Sequence, residues 1–135
     1  MRYRRPPNTP GLSVIVVRKK PDPCLSENGH AWSQLEDGVK YRVIGIEYDM
    51  YRIQTTNHDW KPCLYSVQLF DVIDPTVEPE WVIDMSFEYD GELNLYIGFP
   101  EFEETGFWEK VHDNHTDVLQ TLIPIFDRLK LTYPF

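Results

Sequence analysis

At 135 residues, 41% hydrophobic and 14% aromatic, the chain has the length and apolar content of one folded domain. A core of that size forms without help from metals or disulfides. The formal net charge is −9, and it is unevenly divided: residues 1–20 hold six bases and no acid, while the other 115 residues hold all 22 acids and seven bases. Such a field repels nucleic acid and anionic membrane, so neither is expected as a partner, and it attracts basic protein surfaces.

Residues 1–11, "MRYRRPPNTPG", form a basic, proline-rich lead-in that is expected to be flexible. It lacks the apolar segment of a signal peptide, and the longest apolar run, Val14–Val17, is far too short to span a bilayer. A cytoplasmic location is the expectation. Residues 12–135 are expected to fold as a single domain.

"LSVIVVRK" is β-branched and reads as a buried first strand. The long connection "KPDPCLSENGHAWSQLEDG" follows, punctuated by prolines, Asn28-Gly29 and Asp37-Gly38. "VKYRVIGIEY" alternates Val39, Tyr41 and Val43 with Lys40 and Arg42, the clearest strand pattern in the chain. A tight "YDM" turn leads to the strand "YRIQTTN". A short strand around Cys63–Tyr65 and a closing strand at Leu69–Ile73 come next.

After the proline-rich "PTVEPEW", a hairpin is predicted over residues 81–99, with strands Trp81–Tyr89 and Leu93–Phe99 turning at Asp90-Gly91. On its second strand Leu93, Leu95 and Ile97 share a face suited to packing, while Glu92, Asn94 and Tyr96 share the face to be seen. "PEFEETG" reads as a loop and "FWEKVHDN" as a short helical turn. The pattern predicts one long helix, about residues 115–130, capped by Asn114 or Thr116. Val118, Leu119, Leu122, Ile123, Phe126 and Leu129 follow helical spacing, and Pro124 is expected to kink or split it. The fold class expected is α+β: a small, strongly bent antiparallel sheet or barrel, an extra hairpin and a C-terminal helix.

The first five strands carry a recurring pattern. "SVIVVRK", then "LEDGVKYRVIGI", "YRI" and "PCLYSVQLFDVI" place Leu35, Gly38, Tyr41, Val43, Tyr51, Ile53, Phe70 and Val72 at set positions. Over residues 12–73 this resembles a small SH3-like barrel module of bacterial and phage genomes, which implies a closed barrel and says little about chemistry. The whole chain, with "DPTVEPEWV" and the acidic "GFWEKVHD" tail, is similar to small bacterial immunity proteins. That resemblance implies a single-domain acidic protein that binds a cognate secreted toxin domain, commonly a basic nuclease.

Catalytic motifs are absent: no glycine-rich phosphate loop, no Cys-x-x-Cys and no His-Glu-x-x-His occurs. Neither a catalytic set nor a cofactor is called for. Cys24 and Cys63 are expected to be reduced thiols, and His58-Asp59 to sit in a loop. Glu109, His112 and His115 have metal-binding chemistry, but "HDNH" reads as a helix boundary that breaks their register, so no metal site is expected.

The most informative stretch is Tyr89 to Lys110, "YDGELNLYIGFPEFEETGFWEK", where acids and aromatics are interleaved. Aromatics anchor interface centres, and surrounding carboxylates pair with Arg and Lys of a partner. The candidate partner-binding set is Asp84, Glu88, Glu92, Glu101, Glu103 and Glu104 with Tyr96, Phe102 and Trp108 as anchors. The competing reading folds Phe99, Phe107 and Trp108 into the core and leaves the acids solvated. The function expected is an immunity protein that neutralises a basic toxin domain by occlusion. A phage-derived nucleic-acid mimic is the alternative, and a small enzyme using His or Cys is the third possibility.

Overall fold

The computed structural model describes residues 14–21, 35–54 and 62–132. The expectations for residues 1–11, for Cys24 and for His58-Asp59 lie outside the described residues. Seven strands precede two helices: β1 (Ile15–Lys19), β2 (Lys40–Glu47), β3 (Met50–Gln54), β4 (Cys63–Ser66), β5 (Phe70–Asp74), β6 (Val82–Phe87), β7 (Leu93–Gly98), α1 (Phe107–His112) and α2 (Thr116–Thr132). The fold is α+β, with every strand pairing antiparallel.

The strand order is β4-β3-β2-β1-β5, and β7 pairs with β2 and β6. Strand β2 is long enough to serve two neighbours on one side. Ile15–Arg18 of β1 pair with Lys40–Val43, and Gly98–Tyr96 of β7 pair with Gly45–Glu47. A register shift between Val43 and Gly45 separates the two halves.

The SH3-like barrel is not formed, because the sheet is open. Closure needs a ladder joining the end strands β4 and β5; a 3₁₀ turn at Val67–Leu69 links them in sequence, and no pairing joins them. Leu35, Tyr41, Val43, Ile53 and Phe70 of the motif do share one buried cluster, with Tyr51 packed against it. Val72, at the barrel-closing position, is 49% exposed.

The central strands are buried on both faces, which is why β1 reads as a continuous apolar run and not as an alternating one. Val17, Tyr41, Val43, Ile53, Tyr65, Leu69 and Phe70 form the core on one face. Val14, Val16 and Ile44 turn to the other, where Phe99, Phe102, Phe107, Val111, Val118, Leu122, Phe126 and Leu129 meet them. Helix α2 thus delivers Val118, Leu122, Phe126 and Leu129, while Ile123, assigned to the same stripe by spacing, stays exposed. The helix is also continuous through Pro124. Its ring lies on the exposed face, where water replaces the amide proton that the Gln120 carbonyl loses.

Asn114 ends α1 and does not cap α2. It adopts the left-handed conformation (φ 61°), its amide donates to the Val111 carbonyl, and the His115 amide donates to the Lys110 carbonyl. That pair of bonds is the Schellman closure of a helix C-terminus. The β6–β7 hairpin forms as predicted but turns differently from a two-residue Asp-Gly loop. Only Gly91 takes positive φ (85°), and the Glu88 amide donates to the Glu92 carbonyl, giving a three-residue loop with a glycine bulge.

The expected division of β7 into a packed face and a displayed face holds only in part, since Leu95 and Ile97 are half-buried and so are Asn94 and Tyr96. Leu93, Leu95 and Ile97 lie across from Phe87, Met85 and Ile83, so all six share one apolar face. Ile83, Met85 and Phe87 are 73%, 63% and 71% exposed. Asn94 and Tyr96 instead face a groove.

The seam between hairpin and sheet is a glycine pair, Gly45 opposite Gly98. A Cβ on Gly98 would stand 3.2 Å from the Gly45 Cα and 2.9 Å from the Tyr96 hydroxyl. That hydroxyl donates to the Phe99 carbonyl and is not free to retreat. Gly98→Ala is therefore expected to destabilise the fold by roughly 1–3 kcal/mol, the range for overpacking, as read by urea denaturation. An unchanged midpoint would mean the seam is looser than these contacts require.

Candidate functional site: an acidic groove

Two chain segments, residues 47–52 and 84–109, build the groove. The β2–β3 hairpin contributes Glu47, Tyr48 and Arg52; β6 and β7 contribute Asp84, Ser86, Asn94 and Tyr96; the segment entering α1 contributes Phe102 to Glu109. The cavity measures about 670 Å³. Six carboxylates line it, from Glu47, Asp84, Glu88, Glu103, Glu104 and Glu109, against a single guanidinium, Arg52.

Arg52 is already committed. Its Nε donates to Glu47 at 2.7 Å, its Nη1 lies 3.3 Å from the Pro62 carbonyl, and its guanidinium lies over the Trp108 ring at 4.5 Å. The cation–π contact contributes about 0.5–2 kcal/mol at a partly desolvated site, so the three partners fix the side chain as part of the floor. The sequence pattern does not single out Arg52. Its pairing with Glu47 was detectable as opposite charges flanking the tight "YDM" turn, but its stacking on Trp108 depends on contacts no local pattern records.

The acids are partnered unequally. Lys110 reaches Glu104 at 3.3 Å, and Asn94 donates to Glu88 at 2.7 Å while accepting from the Tyr48 hydroxyl. Among the described residues no cation pairs with Asp84, Glu88 or Glu103. The Glu103 carboxyl is held above its ordinary range by desolvation, then by a hydrogen bond to Asp84 and repulsion from its charge. Burial also pushes the Tyr96 phenol far up, reinforced by Glu47 and Glu103 and partly offset by Arg52. That hydroxyl remains a neutral donor at any ordinary pH.

Seven of the nine predicted partner-binding residues line this groove: Asp84, Glu88, Tyr96, Phe102, Glu103, Glu104 and Trp108. Glu92 sits at the hairpin end, where its amide donates to the Asp90 carboxylate, and Glu101 lies in the 3₁₀ turn; neither lines it. The aromatics serve the core more than the surface. Phe102 is 3% exposed, with its ring 5.1–5.3 Å from those of Phe99, Phe107 and Trp108. Trp108 is half-buried and shares its face with Arg52. Phe99 and Phe107 are buried, as the competing core reading expects.

Among the described residues, no three His, Cys, Asp or Glu converge as a metal site, and no helix is long and apolar enough to cross a membrane. No family model matches the chain, and neither a curated protein nor a solved structure is significantly similar to it.

The Asp84–Glu103 contact has a direct check. Asp84→Asn removes the charge that disfavours Glu103 ionisation, so the Glu103 carboxyl is expected to titrate at lower pH than in the unaltered chain. Side-chain carboxyl NMR reads the shift; an unmoved titration would place its cause elsewhere.

Proposed function

We propose that the chain is a binding protein for a basic protein surface, most concretely an immunity protein that neutralises a cognate basic toxin domain by occlusion. The observation that carries this reading is the groove: six carboxylates gathered on one concavity, with its single guanidinium consumed internally. A solubility function needs acids spread over the surface. It does not need them converged until Asp84 stands close enough to Glu103 to disfavour its ionisation.

The groove would act first at a distance. Oppositely charged surfaces raise encounter rates roughly 10- to 1,000-fold, an effect that fades with salt as the Debye length falls to about 8 Å at physiological ionic strength. On contact, a Lys or Arg side chain of the partner would supply the cation that Asp84, Glu88 and Glu103 lack. Tyr96 and the exposed part of Trp108 would flank its aliphatic stem. A basic active site covered in this way is closed to its own anionic substrate.

The sign of the pH dependence follows from Glu103. A partner cation favours the ionised form, so affinity weakens as pH falls through the raised Glu103 pKa.

The test is affinity capture from lysate of the native organism at low and moderate salt, with the unaltered chain beside an Asp84→Lys/Glu103→Lys variant. A basic domain held by the first and lost by the second is expected, and its association rate should fall by about tenfold or more at low salt. Co-expression of the chain should then relieve the toxicity of that domain. Equal retention by both chains would remove the groove from the interface.

A further inference from the structure

Strand β6 carries a second feature that solubility does not explain. The bond from the Glu88 amide to the Glu92 carbonyl fixes which backbone groups of the hairpin face inward. Residues alternate in an antiparallel ladder, so Val82, Asp84 and Ser86 direct their amides and carbonyls to β7, and Ile83, Met85 and Phe87 direct theirs outward. Among the described residues β6 pairs with β7 alone. Its outer edge therefore presents three donors and three acceptors without a strand to meet them, beside three largely exposed apolar side chains.

The two faces flanking that edge differ in chemistry. One is the apolar ribbon of Ile83, Met85 and Phe87. The other holds Asp84 and Glu88, which form the rim of the acidic groove, with Glu103 against Asp84. Natural edge strands are usually protected by lysine, proline or a covering element. None of these occurs within β6, whose sequence is "VIDMSF".

We propose that the β6 edge accepts an extended segment of a partner protein as an added strand, and that this segment alternates apolar with basic residues. Side chains of a strand point alternately to opposite faces. The period of two thus lays the apolar half over Ile83, Met85 and Phe87 and the cationic half over Asp84, Glu88 and the groove. Backbone bonds to the outward amides and carbonyls supply register-specific attachment. A second copy of this chain is the poorer occupant. It would bring a net charge of −9 against another −9 and would set acidic rim beside acidic rim. The inference rests on the basic-partner reading for the chemistry of one face; the edge itself rests on the backbone.

The experiment uses the full chain and a fluorescently labelled synthetic peptide alternating valine with lysine. A peptide of the same composition in two blocks serves as comparison. The alternating peptide is expected to bind about tenfold tighter or more, since only it satisfies both faces at once. Met85→Pro removes one outward donor without touching the ladder to β7, and should abolish the difference while circular dichroism stays unchanged. Met85→Lys, a change at an exposed side chain, should weaken the alternating peptide as well.

Equal binding of both peptides, lost in Glu103→Lys, would leave the acidic groove standing and overturn strand addition. Binding of neither would overturn strand addition outright, while the capture experiment with the Asp84→Lys/Glu103→Lys variant judges the groove separately. A dimer in sedimentation that Met85→Lys dissociates would assign the edge to a second copy and overturn the proposal too.

Discussion

The arrangement of the molecule hangs on the close approach of two backbones at Gly45 and Gly98. Strand β2 has one side occupied by β3 from Arg42 to Glu47, and its other side must accommodate both β1 and β7. The register shift past Val43 divides that side into two lengths, and the glycine pair lets β7 begin where β1 leaves off. With side chains at both positions, the hairpin would be held away from the sheet. Glu47 and Arg52 would then stand apart from Asp84 and Glu103, and the groove would have no second wall.

That seam also decides which hairpin face looks inward. Gly98 and Tyr96 belong to the polar face, and the Tyr96 hydroxyl anchors to the Phe99 carbonyl just beyond the strand. Phe99 then enters the core beside Trp81 and Phe102. The seam thus leaves β7 half-buried on both faces, and the outer strand β6 carries its apolar residues Ile83, Met85 and Phe87 into solvent. Full burial of an Ile, Met or Phe side chain is favourable by roughly 1.5–3 kcal/mol, so three exposed neighbours on one short strand leave a substantial gain unrealised.

Local pattern made most of the elements legible, because periods of 2.0 and 3.6 are written into the chain wherever one face is buried. The alternation in β2, the Asp90-Gly91 turn and the stripe of Val118, Leu122, Phe126 and Leu129 are such cases. What pattern did not reveal was which strand edges meet. The barrel motif placed Leu35, Tyr41, Val43, Ile53 and Phe70 in one core, yet core membership does not determine whether β4 and β5 pair. The apolar face of β7 predicted packing because hydrophobicity alone says that a face prefers burial, and says nothing about whether a partner surface exists within the same chain. Four of the six acids of the groove, Asp84, Glu88, Glu103 and Glu104, stand out from composition, and their convergence does not. Asp84 and Glu103 lie nineteen positions apart on different elements, and only the hairpin geometry brings their carboxyls together.

That contact between two carboxyls bears on what the groove can do. A carboxyl whose folded pKa is raised contributes stability in its protonated form, which is fully present at low pH and is lost as pH rises through the folded pKa. Ionising Glu103 is therefore less favourable in the fold than in the unfolded chain, and the charge of Asp84 is one of the causes. Placing like charges together against folding is common at sites that meet an opposite charge from outside, where the repulsion is cancelled on binding. On β6 the same strand also leaves apolar side chains and backbone groups unsatisfied. Charge, hydrophobic surface and hydrogen-bonding capacity are each incomplete on one edge, and a single extended basic and apolar segment is complementary to all three.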